Sequence, residues 1–205
     1  MGWTFQNKPY GQSVKEFFEK EFNHENGKVL DCAVVNMREA YIAYEYLRVD
    51  GKWITIGIVC LLQYYSQSWC NFGYKDVEET MHPFYYNCPE RILNLLTPLT
   101  EMYTGEVNEN ACAWRTKCWE NVRKRKLAGQ IKLGTVIEFP EPVRFNTGYQ
   151  HRTFVRVHPR KLIFKATMWN QDLGGYDQAL HFRQFRLTKE ILLTAEIMGR
   201  INLPS

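Results

Sequence analysis

The pattern of apolar and polar positions changes character partway along the chain. Its first part mixes one helical period with long strand-like runs. In "SVKEFFEKEF", Val14, Phe17, Phe18 and Phe22 recur at helical spacing with charges opposite, and Ser13 with Glu16 reads as a capping box. The spacing predicts a helix over 13–24, with Gly27 as its stop. Three strand-like runs follow: "KVLDCAVVNM", "EAYIAYEYLR" and "KWITIGIVCLLQYY". Asp50-Gly51 between the last two is a hairpin turn signal. Ile54, Ile56, Ile58, Cys60 and Leu62 share one buried face. Further on, "NCPERILNLLTP" reads as a helix opened by Pro89, with Ile92, Leu93, Leu95 and Leu96 as its apolar side and Pro98 as its end. "EVNENACAWRTKCWENVRKRKLAG" reads as another, with Ala111, Trp114, Cys118 and Val122 on one face, Lys117, Glu120 and Lys124 on the other, and Gly129 as its stop.

Beyond it the runs shorten. "QIKLGTVIEF", "PVRF", "RTFVRVHP", "KLIFKATMW" and "ALHFRQFRL" are broken by Pro140, Pro142, Gly148, Pro159 and Gly174-Gly175. "TKEILLTAEIMG" reads as a short helix near the end. The predicted class is therefore α+β: an antiparallel sheet with a helix on one face and packed helices after it, then a mostly β part, a small barrel or strongly bent sheet. The compositional cut places an α+β unit at 1–128, in helix–strand–strand–strand–helix–helix order, and a β-rich unit at 129–205.

Composition adds little to the fold and much to the surface. The 205 residues are 45% hydrophobic and 23% charged, ordinary for a globular chain. Aromatic residues reach 15%, enough to fill a core and still supply an interface. No apolar run approaches the roughly 18 residues of a membrane span. The N-terminal "MGWTFQNKPYGQS" lacks a signal-peptide layout. The expectation is a cytosolic protein without a membrane partner. The six cysteines (32, 60, 70, 88, 112 and 118) contain no CxxC pair and read as buried free thiols.

Charge is the strongest surface feature. The net is only +4, yet residues 1–100 carry −3 and residues 101–205 carry +7. From Arg115 to Lys165 there are 13 basic and 3 acidic side chains. Such asymmetry points to an anionic partner. The candidate contacts are Arg115, Lys117, Arg123, Lys124, Arg125, Lys126, Arg144, Arg152, Arg156, Arg160 and Lys161, interleaved with rings such as Phe145, Tyr149, Phe154 and Phe164. Cations neutralise phosphates and exposed rings stack on bases, so DNA or RNA is one partner class. Against this, cations at a helix C-terminus suit the macrodipole and strands alternate polar-out with apolar-in. A second surface is aromatic: Tyr74, Phe84, Tyr85, Tyr86, Trp169 and Tyr176 fall in loop-like stretches, as interface anchors do.

Candidate chemistry is thin. Asp76, Glu78, Glu79 and His82 lie close together, with Cys88 beyond. Carboxylates with a His could bind a metal or move protons, but no HExxH or CxxC…H frame is present, and Asp76 with Glu79 also fits a capping pair. Cys88 opens a helix, where a thiolate is favoured, and His24 or His82 would be its base. No GxSxG, Walker A or GxGxxG element occurs, so standard hydrolase and nucleotide chemistry has no support. No cofactor or metal is expected, and the protein is expected to be non-enzymatic. An enzyme acting on nucleic acid through Asp76, Glu78, Glu79 and His82 is the alternative.

The stretch "NFGYKDVEETMHPFYYNCPERILNLLTP" resembles an uncharacterised family of small proteins carried by plasmids, phages and other mobile elements. The quoted motif runs N-F-G-Y-K-D, E-T-M, Pro83, Cys88-Pro89 and I-L-x-L-L-T-P. Trp114, Arg115 and Cys118 match a following W-R-x-x-C, and Gly134, Ile137, Phe139, Phe145 and Gly148 match a later segment. The resemblance covers about residues 28–160 and departs at His82, where the family usually has Gly. It implies a setting rather than a reaction: a phage or plasmid accessory protein that binds a host nuclease or nucleoprotein, as a defence inhibitor of anti-CRISPR or anti-restriction type does.

Overall fold

The computed structural model describes residues 2–63, 67–77, 85–102, 107–177 and 180–203. The chain divides into two compact units, Met1–Val122 and Arg123–Ser205. The architecture is α+β with strands predominating.

In the first unit, Ser13 caps α1 (Val14–Phe22) as a complete capping box: its hydroxyl accepts from the Glu16 N–H at 3.1 Å, and the Glu16 carboxylate accepts from the Ser13 N–H at 2.8 Å. The helix ends at Asn23, earlier than expected, because Gly27 already begins the first long strand. The strands β1 (Thr4–Asn7), β2 (Gly27–Asn36), β3 (Glu39–Leu47), β4 (Trp53–Leu62) and β5 (Asn71–Asp76) form an antiparallel sheet in the order β1-β5-β4-β3-β2. The Asp50-Gly51 hairpin forms, with Gly51 at φ +80°. Strands β1 and β5 are additions to the predicted set. The latter occupies the start of the stretch that reads from sequence as a loop-like corner.

Helices cover both faces of this sheet, not one. On one face Val14, Phe17 and Phe18 pack on Ile42, Ile54, Ile56, Ile58, Cys60 and Phe72. On the other, Tyr41, Ala43 and Val59 pack under Ile92, Leu93 and Leu96 and under Trp114, Cys118 and Val122. Strand β4 is therefore buried on both sides, which explains its unbroken apolar run. The helix expected in "NCPERILNLLTP" shrinks to α2 (Glu90–Leu93), with α3 at Leu99–Met102. Pro89 is its N-cap and Leu95 is exposed. The chain is instead held by α4 (Glu109–Gln130): Trp114 Nε1 donates to the Tyr85 carbonyl at 2.9 Å, Asn121 to the Tyr86 carbonyl at 2.9 Å and Arg115 to the Thr97 carbonyl at 2.6 Å. The Trp114-Arg115-Cys118 motif thus does packing work. Helix α4 runs one residue past Gly129, and the unit boundary falls within it.

A buried polar knot completes the first unit. Glu39 is 1% exposed. Its carboxylate accepts from the Tyr41 hydroxyl, from Asn36 at 3.2 Å and from Asn87 at 3.0 Å. The Asn87 N–H in turn donates to the Tyr41 hydroxyl at 3.2 Å. A buried carboxylate is tolerable because these donors compensate its lost water. Burial and the Glu39 bond push the Tyr41 phenol far above its ordinary value.

In the second unit β6 (Thr135–Arg144), β7 (Gln150–Arg156), β8 (Ile163–Ala166), β11 (Phe185–Arg186) and β12 (Glu196–Arg200) form a second antiparallel sheet, ordered β11-β8-β7-β6-β12. Strands β9 (Trp169–Asn170) and β10 (Gly175–Tyr176) pair separately. Among the described residues the sheet stays open, with β11 and β12 as its edges, so no closed barrel forms. Strand β6 tolerates Pro140 and Pro142 because its register slips between Glu138 and Val143, leaving the prolines opposite no ladder partner. The expected C-terminal helix is one turn, α5 (Lys189–Leu192), before the chain turns into β12. The core is Ile131, Ile137, Phe139, Phe154, Phe164, Phe185, Leu187 and Leu192.

All six cysteines are free thiols. Cys60, Cys88 and Cys118 are buried and Cys32 and Cys70 half-buried, but Cys112 is exposed, on the outer face of α4. Burial, and then the neighbouring Asp31 charge, push the Cys32 thiol up to about 11. No described helix is long and apolar enough to cross a membrane.

Candidate anionic-partner interface

Charge separates the units sharply. Residues 1–122 carry 11 basic and 16 acidic side chains, a net of −5; residues 123–205 carry 15 and 6, a net of +9. The predicted basic residues nevertheless do not form one set. Arg156 is 8% exposed, and its guanidinium donates to the carbonyls of His158 and Pro159, each at 3.0 Å, and of Ile131. It ties the 158–159 turn to the residue after α4 and has no face to offer a phosphate. Arg115, in the first unit, is spent on the Thr97 carbonyl and on Met102 Sδ at 3.3 Å. Lys117 sits over the Tyr86 ring at 4.8 Å. Lys124 pairs with Glu190 at 3.4 Å, where the residue's own N–H, the Thr188 hydroxyl and Lys124 together hold the Glu190 carboxyl below its ordinary value. Arg152 is exposed but pairs with Glu138 at 3.0 Å and donates to the Phe139 carbonyl at 2.8 Å.

The remaining candidates stay at the surface. Arg123, Arg125 and Lys126 are exposed along the last turns of α4, and Arg144 is exposed at the end of β6. Arg160 and Lys161 are exposed in the turn before β8, where both of their backbone N–H groups donate to His158 Nδ1, at 3.1 and 3.0 Å. That imidazole fixes the turn that presents the two side chains.

The second unit also assembles a feature that sequence reasoning missed. The Arg183 guanidinium lies over the Tyr149 ring at 4.5 Å and over Phe182 at 5.7 Å. His181 stacks on Phe182 at 4.5 Å and meets Tyr149 edge-on at 5.4 Å. Phe182 is 72% exposed. The turn at Gly148, φ +82°, delivers Tyr149 to this cluster, with the Phe145 N–H donating to the Tyr149 carbonyl at 2.9 Å. The missed signal was the triplet "HFR" within "ALHFRQFRL": the charge count ended at Lys165, short of Arg183 and Arg186. Behind the cluster, His151 lies 4.9 Å from His181, and its Nε2 is buried without a hydrogen-bond partner. Burial, reinforced by His181, lowers its tendency to protonate.

The predicted aromatic surface is dispersed. Tyr74 packs on Phe18 and Phe22 in the core of the first unit. Phe84 lies outside the described residues. Tyr85 is 43% exposed, while Tyr86 is half-buried beneath Lys117. Trp169, 55% exposed, meets Tyr176 edge-on at 5.1 Å across the β9–β10 pair. The Tyr176 hydroxyl donates to Glu138 at 3.5 Å; burial and that carboxylate raise the Tyr176 phenol.

Of the alternative catalytic cluster, Asp76 ends β5, and Glu78, Glu79 and His82 lie outside the described residues. The Cys88 thiol is wholly buried, ahead of a helix of only four residues. His24, once a candidate base for it, bonds Tyr44 on the opposite face of the sheet. That pair is not brought together.

A family model described as a domain of unknown function (DUF6927) matches residues 105–171. The matched segment contains α4 and strands β6 to β9, and with them the whole run from Arg115 to Lys165. No curated protein and no solved structure matches the chain.

Proposed function

We propose that this protein is a non-enzymatic binding protein whose basic second unit engages a phosphate-bearing partner: nucleic acid, or a host nucleoprotein that displays it. One observation carries the reading: on a unit of net charge +9, the Arg183 guanidinium lies over both the Tyr149 and the Phe182 ring, with Phe182 open to solvent. Cations draw in phosphates, and exposed rings and guanidinium planes stack on unpaired bases. Arg144, Arg160 and Lys161 supply further surface charge. The resemblance to mobile-element proteins supports a host defence complex as the target, with inhibition as the outcome. A second reading has its own observation: Met168, Trp169 and Leu173 are exposed in and around the β9–β10 pair, apolar side chains suited to a protein surface.

The test is a fluorescence-anisotropy titration with short single- and double-stranded DNA and RNA at about 50 and 200 mM salt. Binding that falls steeply with salt, prefers single strands and drops about tenfold or more in Phe182→Ala and Arg183→Glu is the expected result. No binding at the lower salt in any form of nucleic acid sinks the direct reading. The Trp169→Ala variant then tests the protein-surface reading by loss of a partner captured from host lysate.

A further inference from the structure

Strand β1 is one edge of the first sheet, and the ladder fixes which of its backbone groups face outward. Odd-numbered residues of the β5 segment turn to β4: the Asn71 carbonyl accepts from the Gln63 N–H at 3.1 Å, and Val77, just past the strand, donates to the Gly57 carbonyl at 2.9 Å. Even-numbered residues turn to β1: Cys70, just before the strand, accepts from the Lys8 N–H at 2.9 Å. Gln6 lies opposite Phe72 and Thr4 opposite Tyr74, so these two exchange hydrogen bonds with β5. Phe5 and Asn7, and Trp3 before them, therefore point their N–H and C=O groups away from the sheet. Among the described residues nothing bonds these outward groups.

The other edges of the two five-stranded sheets are blunted. Strand β2 is irregular at two places, and outward groups along it are taken. The Val29 N–H donates to Asn23 Oδ1 and the Cys32 N–H to Asp31 Oδ1, each at 2.7 Å, and the Cys32 carbonyl accepts from Arg91 at 2.8 Å. Strand β11 has two residues, and β12 carries a register irregularity. By contrast β1 is short but regular, and no charged side chain lies between Trp3 and Asn7. Lys8, next along, turns its ammonium back onto the carbonyls of Pro9 and Gln12. Trp3 and Phe5 share one face and lie over Gly73, where a Cβ would come within 2.9 Å of the Phe5 ring and 3.3 Å of Trp3. Seated there, Phe5 is still 64% exposed.

This edge is complementary to itself. Residues directly opposite in an antiparallel pair share a face, so a twofold axis between two copies must pass at a residue and not between two. With the axis at Phe5, that residue meets the partner's Phe5, while Trp3 and Asn7 meet the partner's Asn7 and Trp3. Every outward-facing residue then sits in a hydrogen-bonded pair, about six backbone bonds in all. Phe5 packs ring against ring, Thr4 meets the partner's Gln6 on the other face, and no like charges are opposed. A foreign strand would have to supply this alternation; a second copy already carries it. We infer that β1 is a self-association edge: two copies of the chain pair antiparallel through Trp3–Asn7 and join their first sheets into one. The edge lies in the first unit and does not rest on the reading of the second.

The test is sedimentation equilibrium of the full chain, freed of nucleic acid, from about 10 μM to 1 mM at about 200 mM salt, which screens charge-driven contacts. The expected result is a reversible monomer–dimer equilibrium with a Kd on the order of 100 μM, because so short a strand buries less than a standard interface. Phe5→Lys and Phe5→Glu should each weaken the dimer about tenfold, and their equimolar mixture should restore it, since the two charges then face each other across the axis. Asn7→Pro removes an N–H that the internal ladder does not use. It should weaken the dimer about tenfold and move the melting point by no more than a few degrees. Amide exchange gives a second readout: Phe5 and Asn7 should slow as concentration rises, while Gln6 is protected throughout. A chain that stays monomeric to about 1 mM overturns the inference. So does a dimer that Asn7→Pro and Phe5→Lys leave intact, or a folded mixture of the two charged variants that fails to associate.

Discussion

The two units use the same residue types for opposite ends. In the first, the rings and polar groups between the sheet and its helices turn inward. Trp114 is fully buried and donates to a backbone carbonyl, and Glu39 is buried and holds Tyr41, Asn36 and Asn87. In the second, a thinner core sits under one open sheet, and rings and cations reach the surface together, as Phe182 and Arg183 do. Position in the fold explains the difference. A sheet with helices on both faces must satisfy every polar group internally. Phe182 and Arg183 instead lie in the segment before β11, outside the ladder, where charge costs little. Aromatic content alone therefore says nothing about binding; what matters is whether a ring lies under a packed layer or on an exposed segment.

The largest expected effect tests the inward half of that contrast. Trp114→Ala should cost about 3–5 kcal/mol, because it empties the centre of a packed face and strands the Tyr85 carbonyl. Urea unfolding followed by circular dichroism measures the loss, and amide exchange should place it in β3 and β4. A loss below about 1 kcal/mol would mean the α4 face is not the clamp described. Glu39→Ala should follow at about 3 kcal/mol, since it leaves a buried phenol and two amides short of an acceptor. Between two arginines of the second unit the contrast narrows to one side chain each. Arg156→Ala should cost about 2 kcal/mol by orphaning three carbonyls, while Arg160→Ala should change stability by less than about 0.5 kcal/mol and weaken nucleic-acid binding instead. If Arg156→Ala lowers affinity at unchanged stability, its assignment to structure is wrong.

Sequence reading succeeded where periodicity acts over a long element. The α1 capping box, strands β2 to β4, the Asp50-Gly51 hairpin and the buried face of α4 were all legible. It failed where an element exists only through its partners. Strand β5 is six residues held between β4 and β1, and "NFGYKD" has no alternation of its own to announce it. The helix expected from "ERILNLLT" ends after a turn because Thr97 is taken by Thr55 of β4, whose N–H donates to its hydroxyl at 2.8 Å. The basic run was legible as charge but not as surface. Nothing local distinguishes Arg156, wrapped in carbonyls, from Arg160 four residues on. The Tyr149–Arg183 contact joins positions 34 residues apart, so only the folded sheet could reveal it.

The smallest effect tests whether the outward cluster rests on a neutral foundation. His151 sits behind the exposed rings with Nε2 sealed from water and unpartnered, and its pKa in the folded chain lies below the ordinary 6.5. The unfolded chain therefore binds this proton more readily, and stability must rise with pH wherever the two states differ. The contribution is present in full above about 6.5 and is lost as pH falls through the lowered folded value. Thermal melts of the full chain between pH 5 and 7.5 should show the second unit, reported by Trp169, weakening on the acid side. His151→Phe should flatten that slope without moving the melting point at pH 7.5 by more than a few degrees. The variant should keep nucleic-acid affinity at neutral pH, because His151 supports the cluster from behind, whereas Phe182 and Arg183 are the exposed members. An unchanged acid slope in His151→Phe would place the proton elsewhere. A collapse of affinity would show that the imidazole shapes the outward rings rather than merely lying beneath them.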